Sequence, residues 1–347
     1  MKIIVDAMGG DNAPDEIVKG ALDALREADV EIVLCGREED ILQAIVRAGL
    51  KGLPPGVEIV NASEVIDMED DPSTAARIKK DSSLTVALHL LRDGKGDAFV
   101  SAGNTGALLS GATLIVKRVR GIRRAALAPY LPNSGGGFIL IDCGANVECT
   151  PEYLLQFAFM GSYYAEDALK LASPRVGLLN NGAEPTKGTQ LQLDAYALIE
   201  RASHDGYLNF VGNVEAKEVM KGACDVLVCD GFTGNVMLKA LEGMASMVMS
   251  ELKGIYNKNL KTKLSGLLIK KSIYDLRAKM NPDTIGGTML LGISKPVIKA
   301  HGSSNAAAIS GAIRQAVAAA TASAATRLQE NIEYMTRQGD GSNVSTQ

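Results

Sequence analysis

The chain has 347 residues, with 36 Lys+Arg against 40 Asp+Glu for a formal charge of −4, 46% apolar and 22% charged residues. That apolar fraction and balanced charge exclude a disordered chain, and the near-neutral total excludes a globally basic nucleic-acid binder. With 4% aromatics and no Trp, a platform for stacking bases or sugars is excluded as well. The length suffices for one large α/β domain or two modest ones. Five dispersed Cys (Cys35, Cys143, Cys149, Cys224, Cys229) without a CxxC pair, and only three His, predict a reduced, cytosolic protein with no disulfide framework, zinc site or other metal.

The opening residues, Met1 to Asp6, read as the start of a strand with an early charge rather than as a signal peptide. From there one local grammar repeats: a short apolar run, a polar glycine-rich loop, then a helical stretch. Ile3-Ile4-Val5-Asp6 leads into Met8-Gly9-Gly10-Asp11-Asn12, with Pro14 placed for a first helical turn. Ala98-Phe99-Val100 leads into Ser101-Ala102-Gly103-Asn104-Thr105-Gly106. The uncharged run from Ala98 to Val116 has the length of a bilayer span, but its Ser, Gly, Asn and Thr residues predict strand, glycine turn and buried helix. The same pattern recurs at Phe138–Ile141 with Asp142-Cys143-Gly144-Ala145-Asn146, and at Val176–Leu179 with Asn180-Asn181-Gly182-Ala183-Glu184. It returns at Val226–Val228 with Cys229-Asp230-Gly231-Phe232-Thr233-Gly234-Asn235, and at Val297-Ile298 with Ala300-His301-Gly302-Ser303-Ser304-Asn305. An Ala-rich helix is predicted from there to about Ile332, and a polar tail over 339–347.

Strands alternating with helices predict an α/β fold: a mostly parallel, doubly wound sheet with helices on both faces, its six loops gathering at one edge to form a cleft. No Pro/Ser-rich linker divides the chain, so 1–338 reads as a single two-lobed, intertwined catalytic domain.

Glycine lets backbone N–H groups approach an anion, a following helix N-terminus adds partial positive charge, and Asn, Ser and Thr add neutral hydrogen bonds. Such loops suit phosphate or a developing oxyanion; singly, each also suits a plain βα turn. No GxGxxG follows the first strand, and around Lys187 the order is Lys-Gly-Thr rather than Gly-Lys-Ser/Thr, so neither dinucleotide nor ATP fingerprints are present. Lys187 falls on a strand-to-helix loop, where its cation would face the cleft. Cys143 and Cys229 stand at strand ends with no nearby His and read as small buried thiols. His301 reads equally as a phosphate donor or a packed turn residue. Asp6, Asp11, Asp142 and Asp230 begin loops and read as caps rather than as metal ligands.

Val5-Asp6-Ala7-Met8-Gly9-Gly10-Asp11, Ser101-Ala102-Gly103-Asn104-Thr105-Gly106-Ala107, Asp142-Cys143-Gly144-Ala145-Asn146, Gly177-Leu178-Leu179-Asn180 through Lys187-Gly188, Asp230 through Asn235, and Lys299 through Ser304 together resemble the signatures of bacterial phosphate acyltransferases. The six motifs run in order from residue 2 to about 305; Cys143 and Cys149 stand where that pattern does not demand Cys. The resemblance implies a three-layer sandwich similar to isocitrate/isopropylmalate dehydrogenases and phosphotransacetylases. It implies a homodimer, without cofactor, that transfers a long-chain acyl group from acyl carrier protein to inorganic phosphate. The acyl phosphate would feed a membrane-bound glycerol-3-phosphate acyltransferase of phospholipid synthesis. Within this reading Lys187 holds phosphate and offsets charge, and Asn235 donates to the thioester oxygen. Gly9, Gly10, Asn104, Thr105 and Gly106 form the anion cradle, and Asn146, Asn180, Gly234, His301 and Ser303 are further substrate-binding candidates. Two other readings are an acyl-CoA-using, phosphotransacetylase-like enzyme and a catalytically inert membrane scaffold.

Charge is unevenly spread. Residues 253–279 carry eight basic residues and one acid, a net +7, leaving −11 on the remainder. Within them Leu264, Leu267, Leu268 and Ile269 form an apolar patch between lysines, predicting either a peripheral membrane element or the tip of a dimer interface. Arg118, Arg120, Arg123 and Arg124, with Lys117, form a second cluster, predicting a docking surface for an acidic carrier protein or a solvated helix end.

Overall fold

Period-two alternation in the apolar strands divides the interior into two cores. In β1 (Lys2–Asp6) Ile3 and Val5 enter one core and Ile4 the other; in β7 (Phe138–Ile141) Ile139 and Ile141 enter the first, Phe138 and Leu140 the second. The computed structural model describes residues 1–259, 261–263, 269, 271–273, 287–322 and 324–340.

The strands form two sheets where one was expected. The first has the order β3 (Val57–Asn61), β2 (Glu31–Gly36), β1, β4 (Ala98–Ser101), β12 (Val297–Lys299), β11 (Thr288–Leu291), β5 (Ala126–Ala128). β3 to β12 in that order run parallel, while β11 is antiparallel to both its neighbours. The second sheet has the order β6 (Tyr130–Leu131), β7, β10 (Val226–Val228), β8 (Arg175–Leu179), β9 (Asn209–Val214), parallel except for β6.

Both cores cross both sheets, which makes a three-layer α/β sandwich. On one face pack α1 (Asp15–Glu27), α2 (Glu38–Arg47), α6 (Pro151–Leu169), α7 (Gln190–His204) and α10 (Ala306–Ala320). On the other pack α4 (Ser83–Arg92) and α5 (Thr105–Gly111), and α9 (Gly231–Asn257) lays Met237, Leu238 and Leu241 against the same core. The run 98–116 is strand, glycine turn and helix as expected: β4, α5 and a π-helical turn over Ala112–Val116. Among the described residues no helix is long and apolar enough to cross a membrane.

The Ala-rich helix stops earlier than expected, at Ala320. The Thr321 hydroxyl donates back to the Ala318 carbonyl at 2.8 Å, offering the backbone an alternative to another helical turn. The chain continues as α11 (Ala324–Glu330) and α12 (Ile332–Asp340). Helix continues through Asp340, into the segment expected to be polar tail.

Candidate active site

Six strand-end loops come together as two groups of three. In the first sheet, β1, β4 and β12 are adjacent and parallel, so the loops after Asp6, Ser101 and Lys299 leave the same edge. They are tied together: Asp11 N–H donates to Gly302 O at 2.8 Å, Asn12 Nδ2 to Ser303 O at 3.1 Å, and Ala300 N–H to Ser101 O at 2.9 Å. Gly9 has no room for a side chain, and Gly10 adopts a backbone conformation that side chains disfavour. A Cβ on Gly9 would stand 2.4 Å from Asp6 Oδ2 and 2.7 Å from Gly103 N, and Gly10 adopts φ +104°.

Of the expected residues here, Asn104 caps α5, its Oδ1 accepting from Ala107 N–H at 3.0 Å. Its Nδ2 donates to the carbonyls of Asp67 and Met68, both at 3.3 Å, drawing that segment over the loop. Pro72 closes on Gly106, where a Cβ would meet its ring carbon at 2.6 Å; Thr105, half-buried, opens the helix. His301 and Ser303 are exposed. His301 Nδ1 lies 2.9 Å from Ser303 Oγ and accepts from Ser303 N–H at 3.3 Å. In the neutral ring that pattern assigns the proton to Nε2, free to donate outward.

The second group follows β7, β10 and β8. Its centre is Asp142, fully buried, whose carboxylate accepts from Leu127 N–H (2.8 Å), Cys143 N–H (2.7 Å), Asn146 N–H (2.6 Å) and Asn146 Nδ2 (3.0 Å). Burial pushes its pKa up, and these N–H groups pull partly back. Leu127 belongs to β5 of the first sheet, so Asp142 joins the two sheets. Asp230 caps α9, accepting from Thr233 N–H at 2.8 Å and Thr233 Oγ1 at 2.7 Å. Gly234, in that first turn, rides so close to the Asp142 carbonyl that no Cβ fits. The next residue, exposed Asn235, stands over Gly144, 3.7 Å from where its Cβ would be.

Asn180 and Asn146 use their amides on loop backbone: Asn180 Nδ2 donates to Lys187 O at 3.0 Å, Asn146 Nδ2 to Ala125 O at 2.8 Å. Lys187 lies on the β8–α7 loop, exposed, and forms no ion pair with any described acid. Cys143 and Cys229 are buried, and burial pushes the Cys143 thiol up to about 12 and Cys229 well above its usual range. Cys149, half-buried, is also pushed up to about 12. Among the described residues no cluster of three His, Cys, Asp or Glu could hold a metal. Of the four acids read as caps, Asp230 is one; Asp6 and Asp142 instead sit buried beneath the loops.

Sequence reasoning missed Ser101, Asp142 and Lys299 as site-building residues. A lysine closing an otherwise apolar strand run was the available signal.

Arg120, Arg123 and Arg124 are exposed, and Arg124 stacks on Tyr153 with its guanidinium carbon 5.6 Å from the ring centre. Arg118 is half-buried, its Nη1 donating to the Arg123 carbonyl. Ile269 is 43% exposed, whereas Leu264, Leu267 and Leu268 lie outside the described residues.

A sequence profile for the family described as "Fatty acid synthesis protein" matches residues 1–327. The chain is 46% identical over 336 residues to a phosphate acyltransferase of Thermoanaerobacter pseudethanolicus, spanning 96% of this chain and 98% of that one. It is 49% identical over 315 residues to a phosphate acyltransferase of Brevibacillus brevis, spanning 90% and 92%. Among solved structures, a phosphotransacetylase from Streptococcus pyogenes is similar with TM-score 0.61 at 17% identity, spanning 92% of this chain and 94% of that one. The EutD phosphotransacetylase from Staphylococcus aureus follows with TM-score 0.59 at 16% identity and the same coverage. At such identity these structures speak for the fold alone.

Proposed function

The chain belongs to the phosphate acyltransferase family, acyltransferases of fatty acid and phospholipid synthesis, and we propose that it moves a long-chain acyl group from acyl carrier protein to inorganic phosphate. The two loop groups act as one site. The observation that carries the reading is the tied surface of the first sheet's three loops, with Gly9 too close-packed for a side chain and Gly10 at positive φ, beside exposed His301 and Ser303. Such a surface fits a small tetrahedral anion.

A phosphate oxygen attacks the thioester carbonyl carbon; the C–O bond forms, the carbonyl electrons move onto oxygen, then return as the C–S bond breaks. The sulfur departs with the bonding pair and takes a proton from water. Phosphate near neutral pH is partly dianionic and needs no strong base, so the protein supplies position and charge neutralisation. Lys187, its charge unshared with any described acid, pairs with phosphate. Asn235, at the positive end of the 27-residue α9, donates its amide to the developing oxyanion. Backbone of Asn104, Thr105 and Gly106 completes the cradle, and His301 Nε2–H and Ser303 donate to phosphate oxygens. Transfer is read as direct, with phosphate itself the nucleophile; burial pushes the Cys143 and Cys149 thiols up to about 12, which disfavours either as an acyl acceptor at neutral pH.

Exposed Arg120, Arg123 and Arg124 receive the acidic carrier protein. Phe232, Val236, Met244, Met247 and Ile255, each more than half exposed along α9, support a homodimer. The +7 segment with Ile269 supports peripheral contact with an anionic membrane and hand-over to a membrane glycerol-3-phosphate acyltransferase.

The test is thiol release from acyl carrier protein and from acyl-CoA, with and without phosphate, trapping acyl phosphate with hydroxylamine. Phosphate-dependent release from the carrier donor is expected. Preference for acyl-CoA would make it a phosphotransacetylase-like enzyme, and no release at all would leave only a scaffold. A stable acylated protein after incubation without phosphate would overturn direct transfer.

A further inference from the structure

Three polar side chains lie in a row inside the carboxyl edge of the first sheet: Asp6 closing β1, Ser101 closing β4 and Lys299 closing β12. They are 2%, 1% and 8% exposed. Their strands are neighbours, and Lys299 pairs in register with Ser101. Asp6 Oδ2 accepts from Ser101 Oγ at 2.7 Å and its Oδ1 from Met8 N–H at 3.2 Å, gripping the loop that carries Gly9 and Gly10. Ser101 Oγ accepts from Gly103 N–H at 3.1 Å. Lys299 Nζ donates to the Ala102 carbonyl at 3.3 Å and to the Ala300 carbonyl. One ammonium thus holds the loop before Gly103 and the loop before His301.

Burying an ammonium is costly unless it is fully engaged, and an aliphatic side chain would fill the same slot without that cost. Among the described residues the ammonium grips two carbonyl oxygens, groups whose lone pairs would repel an anion. Resting on the reading that these loops hold phosphate, we propose that Lys299, alongside the Ser101–Asp6 pair on the neighbouring strands, is a positioning residue that fixes the spacing of the three loops and thereby sets phosphate affinity. It acts beneath the loops and not on the acyl donor.

The experiment is steady-state thiol release by the full chain, varying phosphate at saturating acyl donor and the reverse, for K299M, K299R and S101A. K299M is expected to raise KM for phosphate about tenfold or more, displacements near 1 Å at a site being worth up to about a hundredfold. KM for the acyl donor stays within about twofold, K299R recovers most of the loss, and S101A shifts phosphate KM the same way. If K299M does not fold, judged by circular dichroism, S101A carries the test. An unchanged phosphate KM, or an equal loss in both substrates that arginine does not restore, overturns the assignment. G10A and H301A, placed in the cradle itself, separate the two levels. If they raise phosphate KM and K299M does not, the positioning role fails alone; if neither does, the phosphate reading of these loops fails and takes it along.

Discussion

Lys187 and Asn235, proposed to act on phosphate and on the thioester, stand on different supports, one on a loop shaped by the Asn180 amide and one on the first turns of a capped helix. K187M should lower kcat/KM for phosphate by about a hundredfold or more, with K187R partly restoring it, measured by thiol release. N235A removes the donor proposed for the oxyanion and should lower kcat by about 10²–10³, equivalent to about 2.7–4 kcal/mol, with little change in phosphate KM. The thiols invite the opposite expectation. With Cys143 and Cys149 pushed up to about 12, C143A and C149A should retain activity, and the pH–rate profile should show no thiolate limb between pH 7 and 9. At this scale the sequence showed which residue types line the loops, because glycine, asparagine and lysine after an apolar run advertise themselves. It did not show that Asn104, Asn146 and Asn180 hold backbone with their amides, nor that Asp142 gathers N–H groups from both sheets. A buried polar side chain leaves no periodic trace.

Among the elements, the six strands that precede glycine-rich loops were legible because each is an apolar run with a sharp polar stop. β5, β6 and β11 are short, and β9, Asn209–Val214, mixes Asn and Gly with its apolar residues, so neither length nor alternation marked them. Division into two sheets was hidden for another reason: it depends on which strands pair across long separations, which no local pattern encodes. One pairing can be probed by pH. Arg175 at the start of β8 holds Asp225, just before β10, through Nη2–Oδ1 at 2.9 Å and Nε–Oδ2 at 3.1 Å. Burial alone would raise the Asp225 pKa, but the hydrogen bonds and charge of Arg175 outweigh it and hold the carboxyl below its ordinary value of 3.8. A depressed folded-state pKa means that its contribution is present above the unfolded value and is lost as pH falls through the folded one. D225N should therefore lower Tm by a few degrees at pH 7, a modest effect because Arg175 is 44% exposed. The gap to the parent protein should narrow as pH falls below 3.8 and through the lower folded-state pKa, read by thermal melts across pH.

Over the whole molecule, a body of −11 carries one segment of +7, so association with anionic surfaces should be local and salt-sensitive. L267S/L268S/I269S should lose flotation with anionic vesicles while keeping phosphate-dependent thiol release in solution; undiminished flotation would remove the membrane role of that segment. R123E/R124E should raise KM for the carrier substrate and leave that for phosphate unchanged, whereas an unchanged carrier KM would free that cluster of a docking role. The path of the chain has its own consequence. It leaves the first sheet after β5, builds the second sheet, and returns with β12 inserted between β4 and β11. On the ribosome, β1 to β4 must therefore wait, with the edge of β4 open, until some two hundred further residues have been made. Gly10 meets Gly302 only then, so a nascent chain that stops short of β12 lacks the three-loop surface proposed to hold phosphate, and activity should appear only after residue 302 has been made.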